Sequence, residues 1–186
     1  MRKALLMADV TIGMAALLVW SWRAFGPRSA RFAFLVVCLP LIWFGLLWRV
    51  LVLRRPVLRL PARVHALRAV ERDGRVYELL GVRVAKWLLR RGPLTVLAPP
   101  ELSLPAERTP AALAELDEWM QQAEALHEIM LVVTLAVVVN AAVRGWWGAA
   151  GWTLLFNVLG NVYPAMLQRY NRARLAQRYG IAGHVA

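Results

Sequence analysis

Twenty-two consecutive residues, Trp146 to Leu167, carry no charged side chain. As a helix, such a run extends roughly 33 Å, enough to cross the ~30 Å hydrocarbon core of a bilayer. Three other segments are of the same kind. Ala4 to Trp22 is apolar except for Asp9, and Phe32 to Val52 is apolar except for Arg49 near its end. Ile129 to Val143 has 15 residues and no charge, so it must extend through His127, Glu128 and Glu124 to reach across. The chain has 186 residues, 60% of them hydrophobic, which is too apolar for a soluble domain of this size. The expected fold is therefore an all-α integral membrane protein. It forms one membrane domain over 1–186, with four transmembrane helices at about 4–22, 32–53, 126–144 and 147–168.

Lys and Arg set the direction of insertion. An even number of spans puts both termini and the loop after residue 53 on one side. That side holds Arg2, Lys3, twelve basic residues from Arg54 to Arg108, and four in the tail. The other side holds only Arg23, Arg28, Arg31 and Arg144. The bias predicts a multi-pass protein of the cell membrane with both termini cytoplasmic. The net charge of +12 is distributed between apolar spans, so it reads as retention of cytoplasmic loops rather than a nucleic-acid footprint. The first span is followed by bulky, basic "WRAFGPRSARF" with no small-x-small cleavage pattern, and is read as an uncleaved anchor. A single cysteine, Cys38, excludes an internal disulfide and a cysteine metal site.

The interfacial segment, about 54–125, has its own features. Asp73-Gly74 lies between short runs with β character and predicts a hairpin. "VAKWLLRRG" mixes Trp87, Leu88 and Leu89 with Lys86, Arg90 and Arg91, as would a short amphipathic helix on a membrane surface or a solvated loop with a few anchors. "LAPPELSLPAERTP" is a Pro-rich break, after which Thr109 is placed as an N-cap and Pro110 as the first helical residue. The helix begun there is expected to run through Glu115, Glu124 and His127 into the third span.

A distance argument then brings two remote stretches together. The turn "RGWWGAAGW" makes spans three and four an antiparallel pair. With Trp147 as apex, His127 lies 20 residues before it and Gln168 lies 21 after it. Both stand roughly 30 Å from the turn, at the cytoplasmic interface. Glu124 and His127 share a face at i,i+3. In a regular fourth helix Asn157, Asn161, Gln168 and Arg172 fall within a sector of about 60°. Pro164 lacks an N–H, frees the carbonyl of Gly160 and permits a kink. Asparagine in a span is costly unless it pairs or faces a cavity, so Asn157 and Asn161 are either interhelical ties or site residues.

Several chemistries are excluded. "HEIML" starts like a zinc-protease motif, but Leu131 stands where the second histidine belongs. Glu124 and His127 have the Glu-x-x-His spacing of di-iron helices, without partner carboxylates in the other spans. There is no Gly-rich phosphate loop and no G-x-S-x-G elbow. What remains is a histidine with a carboxylate, amides nearby and arginines at the water boundary. That set suits direct acyl transfer, with His127 as base and amides or Arg stabilising the oxyanion.

"QAEALH" and "NVYPAMLQRYNRARL" resemble the glycosyl-4,4'-diaponeurosporenoate acyltransferases, small membrane enzymes of bacterial carotenoid synthesis. Ala123, Glu124 and His127 carry the first part of the likeness. Asn161, Gln168, Arg169, Tyr170, Asn171, Arg172, Arg174 and Leu175 carry the second, and Lys86 with Trp87 a weaker third. The likeness spans about residues 70–178, and departs from the family pattern where Leu-Pro does not follow the Lys86 and Trp87 cluster. It implies esterification of a sugar hydroxyl on a glycosylated carotenoid, or another glycolipid, by an activated fatty acyl thioester. The donor is acyl-CoA or an acyl-carrier protein, with no bound cofactor and no metal. On this reading His127 is expected to be the base, with Glu124 orienting it. Substrate contacts are expected from Asn157, Asn161, Gln168, Tyr170, Asn171 and Lys86, and donor binding from Arg169 and Arg172. Partners are the bilayer and its lipid-soluble substrate, not nucleic acid. A non-catalytic membrane scaffold and a different interfacial lipid transferase are the competing readings.

Overall fold

The computed structural model describes residues 2–51, 61–92 and 104–180. The described residues form helices and turns without a strand: α1 Arg2–Phe25, α2 Ala30–Leu51, α3 Ala62–His65, a 3₁₀ turn Ala69–Glu71, α4 Arg75–Leu79, α5 Val82–Arg90, α6 Pro110–Val143, α7 Trp147–Asn157, a π turn Val158–Val162 and α8 Tyr163–Tyr179. They divide into two compact units. One comprises Met1–Arg55 with Ile129–Val162, the other Pro56–Glu128 with Tyr163–Ala186.

The first unit is built from apolar helices joined by few polar ties. Trp43 donates its Nε1–H to Thr11 Oγ1 at 2.8 Å, linking α2 to α1. Phe34 of α2 meets Phe156 of α7 edge to face, ring centroids 5.3 Å apart. The turn between α6 and α7 contains Gly145 at φ +72°. Beside it Ala141, Ala149 and Ala150 are buried, and small side chains there let the two helices approach closely. Asn157 Nδ2 donates to the carbonyl of Leu131 at 3.2 Å, and Asn161 Nδ2 donates to Asn157 Oδ1 at 2.7 Å. Asn157 is thus an interhelical tie. Leu5, Leu6, Ile12, Trp20, Val132 and Val139 point outward.

Of the four expected spans, two helices among the described residues are long and apolar enough to cross a membrane, α1 from Leu5 and α6. In both, little of the apolar stretch is buried within the protein, unlike the core helix of a soluble domain. In α2 the described apolar stretch is Ala30–Gly45. The expected fourth span is not one regular helix. It is α7, then the π turn, then α8. Pro164 explains the interruption: with no N–H at 164, an i→i−4 bond is lost, and the preceding turn widens. Asn157 and Asn161 are buried in the first unit, and Gln168 and Arg172 in the second.

The second unit contains most of the charge. Thr109 Oγ1 accepts the N–H of Ala112 at 3.2 Å and Pro110 opens α6, as expected of an N-cap and N1 pair. The helix continues through Glu115, Glu124 and His127 as expected. "VAKWLLR" is helical (α5) and exposes Trp87. The hairpin at Asp73-Gly74 is absent. Gly74, at φ +72°, is the N-cap of α4, and Asp73 Oδ1 accepts the N–H of Arg75 at 3.0 Å. An Asp-Gly pair supplies a side-chain acceptor and a left-handed residue, which serve a helix start as well as a hairpin turn. Tyr77, Val82, Leu167 and Tyr170 form one core cluster, and Leu113, Met120 and Leu175 a second. The first half of the Pro-rich break, residues 97–103, falls outside the described residues.

A Cβ added at Gly74 would stand 3.1 Å from the Tyr170 ring, in a left-handed backbone conformation. Gly74→Ala is expected to destabilise the protein by about 1–2 kcal/mol. A thermal melt in detergent that leaves the midpoint unchanged would contradict this.

Candidate functional site

Glu124 lies two turns beyond Asp117 on α6, so both carboxylates project from one face. Across from them α8 presents Arg169 and Arg172, three residues apart and also on one face. The carboxylate of Glu124 is fully buried and held at both oxygens. Arg169 Nη1 donates to Oε1, and Arg172 Nη1 donates to Oε2 at 2.9 Å. Arg172, 2% exposed, also bonds Asp117 Oδ1 through Nε at 3.0 Å and the carbonyl of His65 through Nη1 at 2.8 Å.

Arg169 extends the network to the segment before α4. Its Nη1 donates to the carbonyl of Val64 at 2.9 Å and its Nη2 to that of Ala66 at 3.0 Å. Nη2 also pairs with Glu71 Oε2 at 2.8 Å, and Nε donates to the Tyr77 hydroxyl at 3.0 Å. Tyr77 in turn donates to Glu71 Oε1 at 2.6 Å. The planar guanidinium fork serves five acceptors in three segments, a geometry that lysine cannot reproduce. Two guanidiniums face three carboxylates here, and the imidazole of His65 stands beside them. Its Nδ1 stands 3.5 Å from Glu124 Oε1, without the alignment of a hydrogen bond.

Burial and charge act in opposite directions at Glu71. Burial raises its carboxyl, but the hydrogen bonds from Arg169, Tyr77 and the Arg68 N–H prevail and hold it below its ordinary 4.5. Burial and the Glu71 hydrogen bond push the Tyr77 hydroxyl well above the usual tyrosine range. Arg169 loses some affinity for its proton to burial and regains more from Glu71 and Glu124, so it stays a fixed cation.

The sequence-predicted residues separate into groups. Glu124, Arg169 and Arg172 come together, as the common depth from the turn requires. Lys86 Nζ donates to Asn171 Oδ1 and lies 5.4 Å from the Tyr170 ring centre. Tyr170 is buried, and its hydroxyl donates to Glu78 at 2.8 Å. Gln168 is buried with Oε1 unpartnered, and Asn171 keeps a buried, unpartnered Nδ2. His127 is half-buried on α6, one turn beyond Glu124. Asn157 and Asn161 belong to the first unit. Arg169 and Arg172, expected to hold a donor, are engaged by internal acceptors. His65, Glu71, Tyr77 and Asp117 were not anticipated. Asp117 was readable from its seven-residue spacing to Glu124; the other three belong to short elements without periodicity. Among the described residues, no cluster of His, Cys, Asp and Glu is placed to hold a metal ion.

A family model for the glycosyl-4,4'-diaponeurosporenoate acyltransferases matches residues 61–179. The chain belongs to this family. The matched stretch contains every member of the Glu124 network and omits α1 and α2. No curated protein and no solved structure matches the chain.

Two outcomes follow from the network. Arg169→Lys is expected to cost about 3 kcal/mol or more, because a lysine leaves buried carboxylate oxygens and carbonyls without donors. Hydrogen exchange should show α3 and the Ala69–Glu71 turn losing protection; unchanged protection would contradict the assignment. Because the folded Glu71 carboxyl is depressed, its contribution is fully present above pH 4.5 and is lost as pH falls through its folded value. Glu71→Gln should therefore lower stability at neutral pH and flatten the acid limb of the stability curve.

Proposed function

We propose that the chain is a membrane O-acyltransferase that esterifies a sugar hydroxyl of a glycosylated carotenoid or similar glycolipid with an activated fatty acid. The family match over 61–179 carries this reading, and the buried Glu124 network within it supports a rigid floor for chemistry. The outward apolar surfaces of α1 and α6 favour a bilayer setting. The proposed topology is four crossings, with both termini and the 54–125 segment on the cytoplasmic side, consistent with the basic bias of those regions. The bilayer then dissolves the polyene while the sugar stays at the interface.

In the proposed reaction His127 removes the proton of the sugar hydroxyl. The hydroxyl oxygen attacks the thioester carbonyl, and the negative charge collects on the carbonyl oxygen. Collapse breaks the C–S bond, and the imidazolium returns the proton to the departing thiolate. His127 suits the role because it is half-exposed on a rigid helix. Glu124 acts at one remove: it fixes Arg169 and Arg172, and with them α8 and the segment around His65. Asn171 is the favoured oxyanion donor, since its Nδ2 has no other partner.

A second reading, a non-catalytic scaffold, draws on the same network: Arg169 and Arg172 are engaged internally, as in a purely architectural cluster. Protein in lipid nanodiscs, given labelled acyl thioester and a panel of glycosylated lipids, separates the two. Wild type should form labelled ester, and His127→Ala should lose about 10²–10⁴ in rate while remaining folded. Activity retained in His127→Ala but lost in His65→Ala would move the base to His65. No ester from any donor and acceptor would favour the scaffold.

A further inference from the structure

The second unit has a cleft of about 780 Å³ between α5, α6 and α8. Four cations line it, Lys86, Arg90, Arg174 and Arg178, and among the described residues none of its lining is acidic. This contrasts with Arg169 and Arg172, whose charges are met by buried carboxylates. In the cleft, Lys86 has neutral partners, the Asn171 amide oxygen and the Tyr170 ring, and Arg174 bonds only the amide oxygen of Gln177. Leu116, Met120 and Leu175 give the cleft an apolar wall. Two polar atoms at the lining are buried without a hydrogen-bond partner, Asn171 Nδ2 and the Tyr179 hydroxyl.

We propose that this cleft binds the acyl donor as a coenzyme A thioester, with the nucleotide phosphates on Arg174, Arg178, Arg90 and Lys86 and the thioester directed toward Asn171. The proposal rests on the acyltransferase reading and assigns the donor to residues other than Arg169 and Arg172. Charge complementarity selects this occupant. Coenzyme A carries about four negative charges on one phosphomonoester and one pyrophosphate, matching the four cations that have no acidic neighbour among the described lining residues, whereas a phospholipid headgroup typically offers one phosphate. A concave site with buried polar atoms suits a small ligand better than the convex surface of a carrier protein. The polarity follows from the helices. Arg172 of α8 meets Asp117 and Glu124 of α6, while Leu175 meets Met120 and Leu113. Moving along α8 from Arg178 to Asn171 therefore leads toward the level of Glu124, and His127 is about 10 Å beyond Met120 along α6. Burial and the nearby Arg90 and Arg174 lower the lysine Lys86 below its ordinary range, as expected where positive charge lacks an anion.

The test is equilibrium binding of decanoyl-CoA to the full chain in nanodiscs of uncharged lipid, read by calorimetry without turnover. Wild type should bind, free coenzyme A should compete, and dephospho-coenzyme A should compete less well. Arg174→Gln and Arg178→Gln change exposed residues, so melting should be unchanged. Each should weaken binding about tenfold, the size of one lost charge-assisted contact. Lys86→Met should do the same, and wild-type affinity in all three variants would overturn the proposal. So would displacement of the probe by anionic phospholipid or acyl-carrier protein but not by coenzyme A. Binding that the variants lose, with no ester formed from any acceptor, would uphold the cleft and remove the acyltransferase reading. Ester formed from acyl-CoA with unchanged KM in the variants would do the reverse.

Discussion

The carboxylate of Glu124 is the point on which the second unit depends. It is fully buried, and an ionised carboxylate in that position is tolerated only when its oxygens are met by donors. Arg169 and Arg172 supply them, and each guanidinium then reaches further, Arg172 to Asp117 and the His65 carbonyl, Arg169 to Val64, Ala66, Glu71 and Tyr77. One buried charge thereby fixes α6, α8 and two short segments that have little apolar surface of their own. Short helices of four or five residues do not persist without such ties. The network's main product is geometric: three pieces of chain far apart in sequence are held in a single arrangement.

That arrangement divides the basic residues of the unit into two classes. Arg169 and Arg172 are internal, neutralised and fixed. Lys86, Arg90, Arg174 and Arg178 line a cleft without acidic partners among the described residues. The distinction matters for chemistry, because a cation already paired with a buried carboxylate has little left to offer a phosphate, while an uncompensated one has its full charge. The same helices serve both purposes, α8 facing Glu124 with one side and the cleft with another.

Much of this was legible in the sequence where a long period or a cap was available. Thr109-Pro110 announced α6, and the uncharged run into Val143 gave its continuation. Equal distances from the turn near Trp147 placed His127 level with Gln168 and the arginines beside it, and the i,i+3 spacing put Glu124 on the face of His127. Three things were not legible. Asp73-Gly74 looked like a hairpin because the same pair begins a helix and turns a strand. In the run from Trp146 to Leu167, Pro164 announced a possible kink but not that the turn before it would widen into a π turn. His65 and Glu71 belong to elements too short to have a period, so only tertiary contact reveals them. Arg172 and Arg174 also look alike in sequence; carboxylates on other elements decide which of the two is free.

The most direct test of the central claim is a double-mutant cycle between Glu124 and Arg172, with Glu124→Gln and Arg172→Met measured singly and together by reversible unfolding in detergent. A buried ion pair that organises the unit predicts strong coupling, about 1–3 kcal/mol, because the second substitution removes the charge that the first leaves unpaired. Losses that add within about 0.5 kcal/mol would show two independent residues and would contradict the account.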